Sequence, residues 1–174
     1  MVYKKRVSNS FQNLKKQKQD GVEQRGWWFS QSHGYFKSDD VSDCDKGFEE
    51  SWELIKTTIA EEGPFDGIMG FSQGAAFVGL VCMKMPQDFK FAMLFAPFMS
   101  VCSKHAQYYN QENVVKIPTL IVIGEGDQVI VPSRSELLLP FFNQAQVVRH
   151  EGGHFVPATS KQKQAYLTFL DNQK

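Results

Sequence analysis

The stretch GIMGFSQGAAF, residues 67–77, places Ser72 between two glycines directly after a short apolar run. A strand, a glycine-flanked serine and a helix in this order are typical of the sharp turn that presents a nucleophilic serine. That turn needs small residues two positions before and two after the serine, and Gly70 and Gly74 meet this requirement. Serine is also a favoured N-cap, so Ser72 could instead cap a helix that starts at Gln73. The pentapeptide alone leaves both interpretations open.

Around this stretch, apolar runs alternate with amphipathic segments. The predicted strands are FDGIMGF (65–71), FKFAMLFA (89–96), PTLIVIG (118–124) and AQVVRH (145–150), with a further short aromatic strand RGWWF (25–29). The predicted helices cover 48–63, 73–85, 133–144 and 160–173, and Pro140 is expected to interrupt or end the third. Buried apolar strands that alternate with helices indicate an α/β fold, with a mostly parallel sheet and helices on both faces.

Two further polar residues follow strands downstream of Ser72. Asp127 lies in the sequence Glu125-Gly126-Asp127 after the third strand, and His154 lies in a glycine-preceded loop after the fourth. Functional groups gather at the carboxyl ends of the strands in such sheets. Imidazole can take the proton of an attacking serine, and a buried carboxylate orients the imidazole. The chain order Ser72, Asp127, His154 is the order found in α/β-hydrolases.

Each of the partners has a rival in the sequence. Glu125 is an alternative acid, but it lies closer to the end of its strand than Asp127 does. His150 is an alternative base at the end of its own strand, where it could point into the core or toward solvent. His33 and His105 lie outside the pattern, and we expect them at the surface.

Composition limits the remaining possibilities. The 174 residues fit one domain, in which we expect a polar segment over 1–22, disordered or helical, followed by a folded domain over 23–174. The 19 basic residues balance the 19 acidic ones, so the net charge does not favour nucleic acid as a partner. We expect neither a membrane span nor a signal peptide, since no apolar run is long enough for a span and no apolar run follows the basic residues of the first segment. Three cysteines without metal-ligand spacing suit a reducing compartment, so we expect a cytoplasmic or nuclear location.

Several motifs in the same order resemble the FSH family of serine hydrolases, within the α/β-hydrolase superfamily, and its ovarian-cancer-associated gene 2 esterase branch. The motifs are RGWWFS (25–30), GPFDGIMGFSQGAA (63–76), PTLIVIGEGDQVI (118–130), GGHFVPA (152–158) and QKQAYLTFLD (162–171). The resemblance implies an α/β-hydrolase fold without a large cap domain. It also implies a carboxylesterase that acts on small-molecule acyl esters of medium or long chain, with no cofactor and no metal.

Position by position, the resemblance implies Ser72 as nucleophile, Asp127 as acid and His154 as base. The backbone N–H of Gln73, directly after the nucleophile, would supply one donor of the oxyanion hole. In the family, the other donor follows an apolar N-terminal strand. The first 22 residues contain no such strand, so we expect the N-terminal strand or strands of the sheet to be missing from this chain.

The substrate pocket is less defined by the sequence. Phe98 and Met99 follow the second strand and Phe155 follows His154, so these side chains could line an acyl pocket or could pack onto the core. Two alternative functions remain open. One is an acyl-protein thioesterase, which shares the G-F-S-Q-G motif and the order of the three residues. The other is a catalytically impaired form that acts as a binding module.

Overall fold

A computed structural model of the chain describes residues 16–19, 22–86 and 88–173. The strands are β1 (Lys16–Gln19), β2 (Val22–Arg25), β3 (Gly67–Phe71), β4 (Phe91–Phe95), β5 (Thr119–Gly124) and β6 (Ala145–His150). The α-helices are α1 (Phe48–Glu62), α2 (Gln73–Lys84), α3 (Pro132–Glu136) and α4 (Ser160–Asp171). Short 3₁₀ helices cover Ser103–Tyr108, Gln111–Asn113 and Leu139–Phe141. No helix among these described residues is long and apolar enough to cross a bilayer.

The central sheet is parallel, and its four strands lie in the order β3-β4-β5-β6. The register aligns Ile68 with Ala92, and Ile121 with Val147. The four strands predicted at 65–71, 89–96, 118–124 and 145–150 are therefore confirmed. Because all four run in the same direction, their carboxyl ends lie along one edge of the sheet, as the sequence analysis required.

Helices cover both faces of the sheet. Successive side chains of a strand point to opposite faces, so each strand contributes side chains to both layers. On one face Leu94 and Ile121, both fully buried, pack with Ala75 and Val78 of α2. On the other face a second cluster includes Phe169 of α4. That cluster contains Met93, Phe95, Leu120, Val122 and Phe169. Full burial of a side chain such as Leu94 stabilises the fold by about 1.5–3 kcal/mol.

Helix α1 packs against α2. Phe48 and Trp52, on the apolar face of this amphipathic helix, are 3% and 8% exposed and belong to a cluster that includes Phe77 and Leu80 of α2. The chain after α3 differs from the predicted helix over 133–144. Proline lacks the N–H that an α-helix needs, so the segment ends as the 3₁₀ turn Leu139–Phe141 around Pro140.

The prediction that strand β3 is buried was wrong. Met69 is 58% exposed and Phe71 is 39% exposed. Both side chains lie on the sheet face that α4 covers over β4 and β5, and β3 is the edge strand of the four-stranded sheet. Among the described residues, the apolar cluster on that face therefore ends before it reaches β3.

The N-terminal part of the described chain also differs from the sequence-based expectation. Strands β1 and β2 form an antiparallel hairpin in which Gln19 pairs with Val22, whereas residues 1–22 were expected to be disordered or helical. The sequence signal for a hairpin was the Asp-Gly pair at 20–21. Residues 1–15 lie outside the described part. Of the predicted strand at 25–29, only the two ends form β pairs: Arg25 ends β2, and Phe29 forms an isolated bridge with Lys46.

His105 lies in the core, so the prediction of a surface position was wrong. Its side chain is 1% exposed, and its ring contacts the rings of Trp28 and Phe48 with centroids 5.3 Å and 4.3 Å away. His105 Nδ1 lies 2.8 Å from Ser100 Oγ, while Nε2 has no hydrogen-bond partner among the described residues and lies 4.0 Å from Asp45. Burial lowers the pKa of His105 to about 4.

This pKa predicts a loss of stability in mild acid. The folded state keeps His105 neutral, whereas the unfolded chain binds a proton below a pKa of about 6.5. His105 therefore contributes stability that is present above about pH 6.5 and is lost as the pH falls toward about 4. Between about pH 7.5 and about pH 4.5, we expect wild type to lose about 2–3 kcal/mol more unfolding free energy than a His105→Gln variant.

Urea unfolding at the two pH values measures this difference. A His33→Gln variant is the matched control, since it makes the same substitution at an exposed histidine. An equal pH dependence in wild type and His105→Gln would contradict the prediction.

Candidate active site

Ser72 occupies the sharp turn between β3 and α2. Its backbone has a φ of 52°, a left-handed value that residues other than glycine adopt only at a cost. The turn is held by the Ser72 N–H, which donates to Phe95 O at 2.9 Å, and by Ser72 O, which accepts from Ala75 N at 2.9 Å. The Ser72 side chain makes no capping hydrogen bond to α2. The interpretation of Ser72 as a helix cap is therefore not supported.

The two glycines around Ser72 are required by close contacts. A Cβ atom at Gly70 would overlap the carbonyl group of Gly74 and would lie 2.7 Å from Ala75 N. A Cβ atom at Gly74 would lie 3.2 Å from the indole nitrogen of Trp27. Strand and helix can approach this closely only because Gly70 has no side chain, and the lack of a side chain at Gly74 leaves room for the Trp27 indole.

Asp127 lies in the loop after β5, and its side chain is buried, with 1% exposed. Its Oδ1 atom accepts hydrogen bonds from the backbone N–H groups of Val129 and Ile130, both at 2.8 Å. Its Oδ2 atom lies 2.7 Å from His154 Nδ1. The backbone therefore holds one carboxylate oxygen in place while the other faces the imidazole.

His154 lies in the loop after β6 and connects Asp127 to the turn at the end of β3. Its Nε2 atom is 2.9 Å from Ser72 Oγ. With the Nδ1 proton directed at Asp127, Nε2 is the acceptor for the serine hydroxyl. The ring of Phe71 lies 4.8 Å from the imidazole ring. The structure thus brings together the three side chains that the sequence singled out.

The loops that carry Asp127 and His154 are joined along their backbones. Glu125 N donates to His150 O at 2.8 Å, and Gly126 N donates to Gly152 O at 3.1 Å. A Cβ atom at Gly124 would lie 2.7 Å from Gly152 O, so a side chain at this position would separate the loops. These contacts hold the two loops together and therefore keep Asp127 close to His154.

The rival residues point away from the serine. Glu125 is paired with Arg149 at 2.8 Å on the surface. His150 is 8% exposed, and its Nδ1 atom accepts a hydrogen bond from Gly152 N at 3.2 Å. Burial lowers the pKa of His150, which favours the neutral ring that this hydrogen bond requires. His150 therefore supports the loop that leads to His154.

Gln73 is the first residue of α2. The first N–H groups of an α-helix have no acceptor within the helix and, together with the helix dipole, favour a negative charge. The Gln73 N–H therefore has the properties of an oxyanion donor directly beside Ser72. No group of three or more His, Cys, Asp and Glu side chains that could hold a metal ion occurs among the described residues.

Two of the three predicted pocket residues are fully or partly buried. Phe98 is 1% exposed and contacts Trp28 and Phe36, so this loop aromatic packs in the core. Met99 is partly buried against the cluster between α2 and the sheet. Phe155 is 51% exposed directly after His154.

Three further apolar side chains that were not predicted as pocket residues are exposed next to the three polar residues. Phe71 precedes Ser72, and Val129 and Val131 follow Asp127; these three side chains are between 39% and 59% exposed. Their closeness to the site could have been predicted, since each lies within four positions of a candidate residue in the sequence. Their exposure depends on loop geometry, which the sequence pattern does not describe.

Sequence comparisons place the chain among known proteins. The family model described as serine hydrolase (FSH1) matches residues 2–166. Esterase OVCA2 of Danio rerio is 44% identical over 155 residues, a match that covers 85% of this chain and 68% of that protein. Esterase CG5412 of Drosophila melanogaster is 38% identical over 156 residues, covering 87% of this chain and 55% of that protein. The chain thus spans between about half and two thirds of the length of these curated relatives.

A structural comparison agrees with the predicted fold class. The crystal structure of acyl-protein thioesterase 2 from Zea mays superposes with a TM-score of 0.68 at 15% identity, covering 88% of this chain and 74% of that one. At this identity the likeness shows the fold alone, and it confirms the α/β-hydrolase fold. Because the family model matches nearly the whole chain, the chain belongs to the serine hydrolase (FSH1) family.

Proposed function

We propose that the chain is a carboxylesterase in which Ser72 is the nucleophile, His154 the general base and Asp127 the orienting acid. The observation that carries the proposal is the continuous hydrogen-bond path from Asp127 Oδ2 through both ring nitrogens of His154 to Ser72 Oγ, with distances of 2.7 Å and 2.9 Å. Membership of a serine hydrolase family supports the same assignment.

The geometry provides for acylation as follows. Ser72 Oγ attacks the ester carbonyl carbon while His154 Nε2 accepts its proton. Buried Asp127 stabilises the imidazolium that forms, and the Gln73 N–H donates to the oxyanion of the tetrahedral intermediate. His154 then gives the proton to the leaving alkoxide, so an alcohol departs and the acyl group stays on Ser72.

Deacylation uses the same groups with water as the nucleophile. His154 takes a proton from a water molecule, whose oxygen attacks the acyl carbonyl carbon. The tetrahedral intermediate collapses, the Ser72 oxygen leaves and recovers its proton from His154, and the carboxylic acid is released. The net reaction consumes one ester and one water molecule and requires no cofactor.

We propose acyl esters of medium or long chain as substrates. Exposed apolar side chains beside the three polar residues support this choice, since Phe71 contacts the ring of His154 and Phe155 follows it in the chain. Apolar walls with a few convergent polar groups are typical of sites that bind apolar ligands. The resemblance to the esterase branch of the family is the second support.

Fluorophosphonate labelling tests the nucleophile. Wild type should react covalently at Ser72, because His154 removes the hydroxyl proton during attack, and the Ser72→Ala variant should not label. Ser133→Ala is a control on another serine, which is exposed in α3, and should label like wild type. If the folded wild-type chain does not react, the esterase proposal is wrong for this chain and a binding role replaces it.

Asp127→Asn tests the acid. The Asn oxygen can still accept from the N–H groups of Val129 and Ile130, so the loop should fold as in wild type. Its amide would donate to His154 Nδ1, which favours the tautomer with a proton on Nε2, and this tautomer cannot accept the serine proton. We expect kcat to fall by about 10³–10⁴-fold.

The matched control for this variant is Glu125→Gln, at the exposed rival acid paired with Arg149. Hydrolysis of p-nitrophenyl esters should give its kcat within about twofold of wild type. An Asp127→Asn enzyme with near-wild-type kcat, or a Glu125→Gln enzyme with a large loss, would contradict the assignment.

An acyl-chain series separates esterase from thioesterase. Matched oxoesters and thioesters with short, medium and long acyl chains would be compared by kcat/KM. We expect the oxoesters to be preferred and kcat/KM to rise from short to medium chains, because longer chains bury more apolar surface. A consistent preference for the thioesters would favour the thioesterase alternative.

A further inference from the structure

The side chain of Gln73 connects the turn at Ser72 to a distant part of the chain. Its Oε1 atom accepts a hydrogen bond from Trp27 N at 3.0 Å, and its Nε2 atom donates to Trp28 O at 2.7 Å. One amide therefore hydrogen-bonds both the N–H group of Trp27 and the carbonyl group of Trp28, as the backbone of a neighbouring strand would. With both ends bound, the Gln73 side chain has a single defined rotamer.

The segment at Trp27 and Trp28 is itself anchored by contacts that do not involve Gln73. Ser51 Oγ of α1 donates to Trp27 O at 2.7 Å. The Trp27 ring stacks on Phe77 with centroids 4.7 Å apart and an interplanar angle of 15°. Trp28 is 2% exposed in the core between α1 and α2. The segment is therefore a fixed support rather than a loose loop.

The residue held by this support is the one whose N–H lies beside the nucleophile. Gln73 follows Ser72, whose left-handed φ of 52° stores strain that a change in the turn would release. The first turn of α2 also lacks a side-chain cap from Ser72. Helix ends fray when their first N–H groups are not satisfied, so the start of α2 needs another restraint.

We propose that the Gln73 side chain is a positioning group for the oxyanion hole. By binding the Trp27–Trp28 backbone, it fixes the direction in which its own N–H points. The same residue thus contributes a backbone donor to the reaction and a side-chain restraint that orients this donor. The inference rests on the proposed esterase function.

The expected effect is on the transition state and not on substrate binding. The oxyanion forms only during the reaction, so a misdirected N–H should lower kcat and leave KM nearly unchanged. A Gln73→Met variant keeps the backbone N–H and the length of the side chain but loses both hydrogen bonds. We expect its kcat for a p-nitrophenyl ester to fall about tenfold, with KM within about twofold of wild type.

Gln31→Met is the matched control. It makes the same substitution at a glutamine whose amide donates to Asp40 at 3.0 Å and not to the Trp27–Trp28 backbone, so its kcat should stay within about twofold of wild type. Hydrogen exchange gives a readout independent of activity. The Trp27 amide should exchange at least about tenfold faster in Gln73→Met than in wild type, because its acceptor is lost.

The outcomes are distinct for the two proposals. An inactive but folded wild type overturns the esterase function itself. An active wild type with an unchanged kcat in Gln73→Met overturns the positioning role, and so does an equal loss of kcat in Gln31→Met. If Gln73→Met does not fold, Gln73→Asn takes its place, since the shorter amide cannot reach both backbone groups, and an unchanged kcat in that variant overturns the inference.

Discussion

The contact between Gly70 and the carbonyl group of Gly74 is the constraint on which the site depends. It lets β3 pass into α2 through a single residue, and this residue, Ser72, takes a left-handed φ of 52° as a consequence. The turn directs the serine side chain away from the sheet and leaves the Gln73 N–H at the free end of the helix. A side chain at Gly70 would push the helix away and remove both features at once.

The other half of the site follows from the order of the strands. β5 and β6 are neighbours, so the loops carrying Asp127 and His154 can be joined by backbone hydrogen bonds, such as that from Gly126 to Gly152. β3 lies on the far side of β4, and His154 must therefore reach across the sheet edge to Ser72. Two backbone N–H groups hold the Asp127 carboxylate, and this carboxylate orients the imidazole of His154 toward Ser72.

The same residue types occur together a second time, with a different result. Ser100, His105 and Asp45 lie near one another, but His105 presents Nδ1 to the serine, and its Nε2 atom remains 4.0 Å from the carboxylate. Aromatic rings surround the imidazole, which is 1% exposed, so no substrate can approach it. The arrangement of the ring nitrogens and their access to solvent, rather than the identity of the residues, distinguish the proposed active site from a core histidine.

The sequence by itself determined the four parallel strands, the helices α1, α2 and α4, and the candidates Ser72, Asp127 and His154, because hydrophobic periodicity and strand-end positions are local properties. Tertiary structure alone decided that β3 is an exposed edge among the described strands and that Phe98 and His105 are buried. It also decided that Asp127, and not Glu125, lies beside His154, and that His154, and not His150, lies beside Ser72. These outcomes depend on which elements become neighbours, and a local pattern carries no information about contacts between segments that are distant in the chain.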